Sequence, residues 1–392
     1  MGARYVAPIA VHHGNFDNYD STHQPWNSVE MGPKRDVIGE WKRACDKHGL
    51  RFGVTSHSAR AWRWLEPAHG ADVKGPKEGV PYDGNLTEKD GQGKRWEGYD
   101  PRDLYCRPHE SGQGPDTAYR EKWFKRTKEL VGKYQPDLLY FDGGLPLGRY
   151  GLRIASHFYN SNMKRNNGHL EAVLTLKSMP VSTAAVRDYE RGQSSGLREL
   201  PWQTDTTLES GWFYQKGVPL RLDAAVVVDT LVDIVSKNGN LLLNVGLWDD
   251  GRLPEEQKGV LLEVGRWLEV NGRAIYGTRP WKIYGEGPSK VSEGHFKERT
   301  VDSEPYEAQD IRFTTRGDIL YAIALAWPED RRLTIGSLAE GGDYGFGEVK
   351  RVELLGRKSP LKWSRDENGL VVHMPERKPC EHAFALRVTP VE

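Results

Sequence analysis

Short apolar runs alternate with amphipathic segments over the first two thirds of this 392-residue sequence. Residues 5–11 form an apolar run, residues 36–48 carry apolar side chains at helical spacing, and residues 50–56 form the next apolar run. A strand, a helix and a further strand in this order are typical of a β/α unit in a parallel sheet. The alternation continues to a helix predicted over residues 254–271. The pattern therefore predicts an α/β fold, and it excludes a disordered chain or a small disulfide-stabilised scaffold.

The last third of the sequence has a different pattern. After about Pro280 the apolar runs are short, turn residues separate them, and no long helical segment intervenes. Regularly spaced short strands of this kind indicate an antiparallel β-sandwich. We therefore predict two domains, an α/β domain over residues 1–282 and an all-β sandwich over residues 283–392. Residues around 65–115 are rich in Gly, Pro and charge, and we predict a long loop insertion there that forms one wall of a site.

Charge balance and cysteine spacing exclude several classes of protein. Lys and Arg number 55 and Asp and Glu also number 55, so no overall field attracts nucleic acid or an anionic membrane. The three cysteines, Cys45, Cys106 and Cys380, are far apart and indicate neither a disulfide framework nor a thiolate zinc site. No apolar stretch reaches the length of a membrane-spanning helix, and the strand predicted at 5–11 leaves no room for a signal peptide. We expect no membrane association, and the compartment stays open.

Polar side chains follow several of the predicted strands. The residues that directly follow strand ends are His12, His13, His57, Asp142 and Lys177. In a parallel α/β fold the carboxyl ends of the strands meet at one face, so these side chains are expected to converge on a site. Asp142 lies in the segment LLYFDGG and could act as a nucleophile, because the glycines after it allow a close approach of substrate. The same Asp-Gly pair could instead simply form a turn at the strand end.

A glycosidase needs a second carboxyl group to protonate the leaving oxygen. Glu190, in the segment DYERG, is our candidate because it lies in a stretch without periodicity that should face the site. A local ion pair of Arg191 with a neighbouring carboxylate would instead make this stretch a solvated loop without a catalytic role. Glu199 and Asp205 are weaker candidates nearby.

Imidazole and indole side chains fit a sugar site better than a metal or nucleotide site. Adjacent residues on a strand point to opposite faces, and no His or Cys at ligand spacing supports a metal at His12 and His13, so we predict no metal. The turns at Gly239-Asn240 and at 285–287 lack the strand-then-helix setting of a phosphate loop and do not favour nucleotide binding, and we predict no cofactor. Five tryptophans in or near predicted loops could stack on a sugar ring, although core packing is the alternative for each: Trp26, Trp62, Trp64, Trp202 and Trp212.

Several sequence blocks together resemble glycoside hydrolase family 29, the α-L-fucosidases, over nearly the whole chain. These blocks are YVAPIAVHHGNFDNYDS at 5–21, the segment 26–53, PDLLYFDGG at 136–144, VSKNGNLLLNVG at 235–246 and GRWLEVNGRAIYGTRPW at 265–281. The resemblance implies a (β/α)8-like barrel followed by a β-sandwich. The family's first strand has no counterpart before Met1, so we expect an N-terminally incomplete barrel.

The resemblance also implies an activity and roles for individual residues. The implied reaction is retaining hydrolysis of terminal α-L-fucosyl residues from an oligosaccharide or polysaccharide by double displacement. Asp142 is then the nucleophile, Glu190 the acid/base, and His12 and His13 bind fucose hydroxyls. We add Trp26, His57, Lys177 and Trp202 as substrate-binding residues. Family members are often extracellular or periplasmic, which suggests such a compartment here.

Two departures from the family pattern leave alternatives open. Lys177 stands where many members have an arginine, and Thr55 followed by His57 stands where many have a tyrosine. Arg and Lys bind differently, so the sugar could be α-L-galactose or a substituted fucose. An incomplete barrel could also leave a catalytically impaired sugar-binding protein. The linkage, the natural glycan and the oligomeric state stay open.

Overall fold

The computed structural model describes residues 1–178 and 184–391, and the described chain forms two compact units. The first unit is residues Ala3–Arg187, and the second comprises Met1–Gly2 and the chain from Asp188 onward. The predicted domain boundary at residue 282 stays a prediction. The helices among the described residues are too short or too polar to cross a membrane.

Parallel strands and flanking helices make up the first unit. Its strands are β1 Tyr5–Val6, β2 Ile9–Val11, β3 Arg51–Ser56, β4 Leu138–Phe141, β5 Val173–Leu176 and the start of β6 Val186–Glu190. Its helices are α1 Val37–His48, α2 Ala61–Trp64, α3 Pro101–Tyr105, α4 Thr117–Tyr134 and α5 Arg149–Arg165. Strands β1 and β2 both pair with β3, and β3, β4, β5 and β6 then pair in that order, all in parallel. This confirms the β/α alternation predicted from the sequence.

The helices of the first unit begin and end where their sequence dictates. Asp36 caps α1 by accepting a hydrogen bond from the backbone N–H of Gly39, and Gly49 ends that helix with a φ of 64°. Asp116 caps α4 in the same way, since its side chain accepts from the N–H of Tyr119. Such caps satisfy backbone groups that a helix end leaves unpaired. These caps therefore fix both ends of α1 and the start of α4.

A buried ion pair fixes the loop that follows the first strands. Arg126, on α4, is fully enclosed and pairs with the carboxylate of Asp17, and its Nη1 donates to Oδ1 of Asn15 at 2.6 Å. Buried charges are tolerated only when they are paired and hydrogen-bonded. This network ties residues 15–17 to α4, directly after the His12 and His13 pair.

The predicted insertion at 65–115 consists largely of short turns. It contains three 3₁₀ turns, Glu66–His69, Asp83–Asn85 and Glu88–Gly91, and the short helix α3. Trp96 and Tyr99 from this segment lie against Trp26, with ring centroids 6.4 and 5.8 Å away. The insertion therefore has an aromatic contact that anchors it to the residues after β2.

The second unit contains two parallel strands and two antiparallel sheets. Its elements are β7 Trp202–Thr207, α6 Ala224–Ser236, β8 Gly239–Asn244, α7 Glu255–Asn271, β9 Arg279–Glu286, β10 Ile311–Arg316, β11 Ile319–Ala324, β12 Arg332–Ile335, β13 Val349–Leu354, β14 Trp363–Asp366, β15 Gly369–His373 and β16 Phe384–Pro390. Strands β7 and β8 pair in parallel. The antiparallel sheets have the orders β13-β16-β11-β10-β9 and β12-β15-β14, and buried residues of both form one apolar cluster. The predicted fold class, parallel α/β followed by an all-β part, is confirmed.

Candidate active site

Strand register brings four of the predicted site residues to one edge of the first unit's sheet. The residues paired at this edge are Val11, Ser56, Phe141 and Leu176. The residue after each of them is a predicted site residue, and these are His12, His57, Asp142 and Lys177. Neighbouring parallel strands that end at one level present the next side chains to a common space. His13 lies beside them, since its ring centroid is 4.6 Å from that of His12.

The carboxylate of Asp142 is the centre of this cluster. The Nζ of Lys177 lies 2.8 Å from Oδ1. On the other oxygen, Oδ2, Nη1 of Arg60 lies at 2.8 Å, Nε2 of His13 at 3.3 Å and Nδ1 of His57 at 3.8 Å. Each oxygen of Asp142 therefore faces one cationic side chain, and Oδ2 faces two imidazoles in addition.

These contacts keep Asp142 ionised. Burial alone raises the pKa of the carboxyl group, but the hydrogen bond from His13 and the charge of Lys177 outweigh the burial, so the pKa lies well below its usual range. A carboxylate that stays charged at every physiological pH is suited to attack a carbon that develops positive charge. Asp142 has the charge state that a nucleophile requires.

Two of the imidazoles near Asp142, those of His12 and His57, are held neutral. Burial lowers the pKa of His57 to about 3, and the nearby charge of Asp142 opposes the shift only in part. Burial and the neighbouring ring of His13 also lower the pKa of His12. Nδ1 of His13 is buried and has no hydrogen-bond partner among the described residues. A neutral imidazole can both donate to and accept from a hydroxyl group, so these rings suit a polar, uncharged ligand.

The same three imidazoles could in principle hold a metal ion. Ligand atoms of His12, His13 and His57 all lie within 4.8 Å of one another. The cations of Lys177 and Arg60, however, already contact the carboxylate of Asp142 beside these rings. A divalent cation there would face two positive charges at short range. The charge balance favours a neutral ligand, and our prediction of no metal is retained.

The neutrality of His57 predicts a specific pH dependence of stability. Below pH 6.5 the unfolded chain binds a proton at His57 that the folded chain does not bind until about pH 3. The free energy of unfolding therefore decreases as the pH is lowered from 6.5 towards 3. When the pH is lowered from 6.5 to 4.5, we expect the free energy of unfolding of the native chain to fall by about 2 to 3 kcal/mol more than that of His57→Gln. Urea unfolding at both pH values measures this difference.

The matched control for this prediction is His48→Gln. His48 is an exposed histidine in the last turn of α1. The control should keep the pH dependence of the native chain. If the free energy of unfolding fell equally in the native chain and in His57→Gln on lowering the pH, His57 would not be held neutral by the fold.

Two side chains at the edge of the cluster were not among the predicted site residues. Arg60 ends the 3₁₀ turn Ser58–Arg60, directly after β3, and its side chain is 57% exposed. Trp64 is 61% exposed, and its ring centroid lies 4.6 Å from that of His13. The sequence identifies Trp64 only as one of five tryptophans in or near predicted loops that could stack on a sugar. The sequence feature that could have indicated Arg60 and Trp64 as site residues is their position within eight residues of a strand end. Ordinary surface residues share this feature, so it does not identify the two.

The structure corrects one predicted substrate-binding residue. Trp202 begins β7 with 2% of its surface exposed, and its ring packs edge-on against Tyr189 at 5.4 Å. Its Nε1 donates to the backbone carbonyl of Lys237 at 2.9 Å. No face of the ring is open to a sugar, so the predicted stacking role of Trp202 is wrong. It was misplaced because its sequence neighbourhood resembles a loop, whereas it starts a strand.

The structure neither supports nor contradicts the predicted role of Trp26. It is half-buried, and its Nε1 donates to the carbonyl of Asp100 at 2.8 Å. Its ring neighbours are Trp96 and Tyr99 of the insertion. These contacts fix its orientation, and its role in binding a sugar stays a prediction.

The predicted acid/base residue, Glu190, lies in the second unit. It ends strand β6, whereas the sequence suggested a loop. Its backbone N–H donates to Nδ1 of His295 at 2.9 Å. Nε of Arg191 lies 2.9 Å from Oε1 of Glu298, so Arg191 has a partner outside the local stretch. A strand end is a usual place for a catalytic carboxyl group, and the role of Glu190 stays a prediction.

Another carboxyl group of this unit, Glu209, is buried and was not predicted. It is enclosed just after β7, its Oε1 accepts from Nε2 of Gln257 at 2.6 Å, and its Oε2 has no partner among the described residues. Burial, with the charge of Glu256, raises the pKa of Glu209. A raised pKa is what a proton donor needs, so Glu209 competes with Glu190 for that role.

Comparison with known proteins identifies the family. The family model described as "Alpha-L-fucosidase" matches residues 1–273, and the model of the "Alpha-L-fucosidase C-terminal domain" matches residues 305–389. Human tissue alpha-L-fucosidase is 26% identical over 407 residues, which cover 100% of this chain and 73% of that protein. An alpha-L-fucosidase of Branchiostoma floridae is 28% identical over 99% of this chain and 75% of its own length.

Solved structures give the same result. The alpha-fucosidase of Thermotoga maritima in complex with fucose is 25% identical and superposes with a TM-score of 0.68 over 99% of this chain and 76% of its own. The same enzyme with a mechanism-based inhibitor superposes with a TM-score of 0.71. The matched regions contain the whole Asp142 cluster and most of the all-β part. The chain belongs to the α-L-fucosidase family of glycoside hydrolases.

Proposed function

We propose that this protein is a retaining exo-α-L-fucosidase that releases terminal α-L-fucosyl residues from an oligosaccharide or polysaccharide. The ionised carboxylate of Asp142, set among the imidazoles of His12, His13 and His57 at the strand ends, is the observation that supports the proposal most. Family membership supports the fucoside, and the complex of the Thermotoga maritima enzyme with fucose supports the sugar.

In the proposed mechanism Asp142 attacks the anomeric carbon and forms a covalent glycosyl-enzyme. A protonated carboxyl group, Glu190 in our proposal, donates its proton to the leaving oxygen and then takes one from the water that hydrolyses the intermediate. His12, His13 and His57 bind sugar hydroxyls, and Lys177 holds the carboxylate of Asp142 in place. Two inversions at the anomeric carbon give overall retention.

The test is hydrolysis of an aryl α-L-fucoside followed by proton NMR. We expect the α-anomer of L-fucose to appear first and the β-anomer to grow in only by mutarotation. The aryl α-L-galactoside is the matched substrate, since it differs by one hydroxyl group on the carbon outside the ring. Faster hydrolysis of the galactoside would reassign the sugar, and initial release of the β-anomer would exclude the double displacement.

A further inference from the structure

The first unit contains a cavity that the proposed mechanism does not use. Its volume is about 380 Å³, which is within the range of sites that hold small molecules. Two arginines and no acidic residue are among the side chains that line it. The lining residues come from the first turns of α4 and α5 and from the loop before α5, and they are Thr117, Arg120, Leu147, Gly148, Arg149 and Tyr150.

One side of the cavity is continuous with the Asp142 site. The loop that supplies Leu147 and Gly148 begins directly after Asp142. The backbone N–H of Lys177 donates to the carbonyl of Gly143 in this loop at 2.8 Å. Leu147 is the fifth residue after Asp142, and five residues of extended chain span at most about 18 Å. A short oligosaccharide whose terminal sugar lies at Asp142 can therefore reach the cavity.

The other side of the cavity, on α4, is also tied to the site. The O–H of Tyr119 donates to the backbone carbonyl of Ser58, the residue directly after His57. Tyr119 lies between two lining residues, Thr117 and Arg120, in the first two turns of α4. This contact holds the start of α4 against the end of β3, so the cavity and the site share one edge of the sheet.

The two arginines of the cavity have their charges available for a ligand. Nε of Arg120 donates to the carbonyl of Pro115 at 2.8 Å, which orients the guanidinium group and uses only one of its donors. The guanidinium group of Arg149 lies 5.3 Å from the ring centroid of Tyr150. Within residues 1–178 and 184–391, neither arginine forms an ion pair with a carboxylate.

The carboxylates closest to Arg120 along α4 have other partners. Asp116 caps α4 by accepting from the N–H of Tyr119, and Glu121 accepts from the O–H of Tyr150 at 2.9 Å. Neither is a lining residue of the cavity. The positive charge of the cavity is therefore not neutralised by its own lining.

The start of α5 adds further donors of the same sign. Gly148 is the N-cap residue of α5, and no side chain caps this 17-residue helix. The first N–H groups of a helix and its dipole carry partial positive charge. The hydroxyl group of Thr117 can donate as well. The cavity thus offers guanidinium, hydroxyl and backbone donors, which together suit an anion.

We propose that this cavity binds an anionic substituent, a sulfate ester or a carboxylate, on the glycan that carries the terminal fucose. Guanidinium groups bind such oxyanions through paired N–H donors. The inference rests on the proposed function, because it takes the Asp142 site as the place of the terminal sugar. It makes the substrate an acidic glycan, with Arg120 and Arg149 as the residues that select it.

The experiment compares three disaccharides in which α-L-fucose is linked to galactose. Carbon 6 of the galactose carries a hydroxyl group in the first and a sulfate ester in the second, and it is a carboxylate in the third. Each is prepared with fucose on O2, O3 or O4, and release of L-fucose by the full chain gives kcat/KM. In at least one linkage we expect an anionic disaccharide to exceed the neutral one by about 10- to 50-fold. Sodium chloride should reduce this ratio, and the better anion identifies the substituent.

Removal of either arginine should reduce the ratio of kcat/KM for the anionic over the neutral disaccharide. We expect a reduction of about tenfold for Arg120→Gln, which is half-buried, and about threefold for Arg149→Gln, which is exposed. Damage to the fold would lower both values of kcat/KM equally and leave their ratio unchanged. Lys164→Gln removes an exposed cation from the last turn of α5 and is the matched control, which should keep the native ratio.

The outcomes separate this inference from the proposed function. Anionic disaccharides that are hydrolysed no faster than the neutral one in any linkage would overturn the inference, and so would a ratio that both arginine variants retain. Hydrolysis of the aryl α-L-fucoside would in either case leave the fucosidase intact. A native protein that hydrolyses neither the aryl fucoside nor any of the disaccharides would overturn the proposed function and the inference with it.

Discussion

Asp142→Asn is expected to lose hydrolysis of an aryl α-L-fucoside by about 10⁴- to 10⁶-fold in kcat, as loss of a covalent nucleophile does in other enzymes. An amide has no negative charge for the anomeric carbon and forms no stable ester with it. The shape of the side chain is kept, so the contacts of His13 and His57 with this position should persist. Initial rates under saturating substrate measure the loss.

The role of nucleophile, rather than a structural role, is tested by Asp142→Gly with added azide. Azide can enter the space left by the carboxylate, attack the anomeric carbon in one step and give the β-L-fucosyl azide, a product of inverted configuration. Asp137→Asn is the matched control, since Asp137 precedes the same strand at its other end and contacts Arg51 and Arg165. It should keep native activity. Full activity in Asp142→Asn, or equal losses in both asparagine variants, would contradict the assignment.

The position of the site could be predicted from the sequence because it depends on backbone periodicity. Apolar runs define where strands end, and parallel register then brings His12, His57, Asp142 and Lys177 to one edge. Polar residues that directly follow such runs carry this information without any knowledge of side-chain contacts. The convergence of these four residues needed only correct strand ends.

Apolar periodicity does not predict which side chain contacts which oxygen of Asp142. Nothing in the sequence indicates that Lys177 lies on one oxygen of Asp142 and Arg60 on the other. Arg60 lies after a strand end on a 3₁₀ turn, and the direction of an exposed side chain there depends on the turn, which apolar periodicity does not encode.

Errors arose where a residue's environment depends on a distant partner. Trp202 follows a proline in a stretch without helical periodicity, so it was assigned to a loop, yet its ring is buried against Tyr189 and Ile234. Nothing in the sequence around Glu209 indicates that its carboxyl group is buried. Its hydrogen-bond partner in the folded chain, Gln257, lies 48 residues further along the chain. Contacts of this kind are set by tertiary packing alone.

The acid/base assignment leads to the second large prediction. Glu190→Gln should reduce hydrolysis of a fucoside with a poor leaving group by about 10²- to 10⁴-fold, because the departing oxygen then has no proton donor. An aryl fucoside with a strongly acidic phenol needs little protonation, so its glycosylation step should be slowed far less. We compare the reduction in kcat/KM for the fucoside with the poor leaving group with the reduction for the aryl fucoside. Damage to the fold would reduce both equally, so their ratio reports proton donation.

Glu209→Gln is the matched variant, because it replaces the competing carboxyl group of the same unit by the same amide. If Glu190 is the acid/base, Glu209→Gln should slow both substrates equally or not at all. Azide gives an independent test, since it can attack the glycosyl-enzyme without a general base and would yield the α-L-fucosyl azide, of retained configuration, from the acid/base variant only. A leaving-group-dependent loss and a retained azide product in Glu209→Gln would move the role to Glu209. The raised pKa of that buried residue would then have been the better guide to the proton donor than the sequence around Glu190.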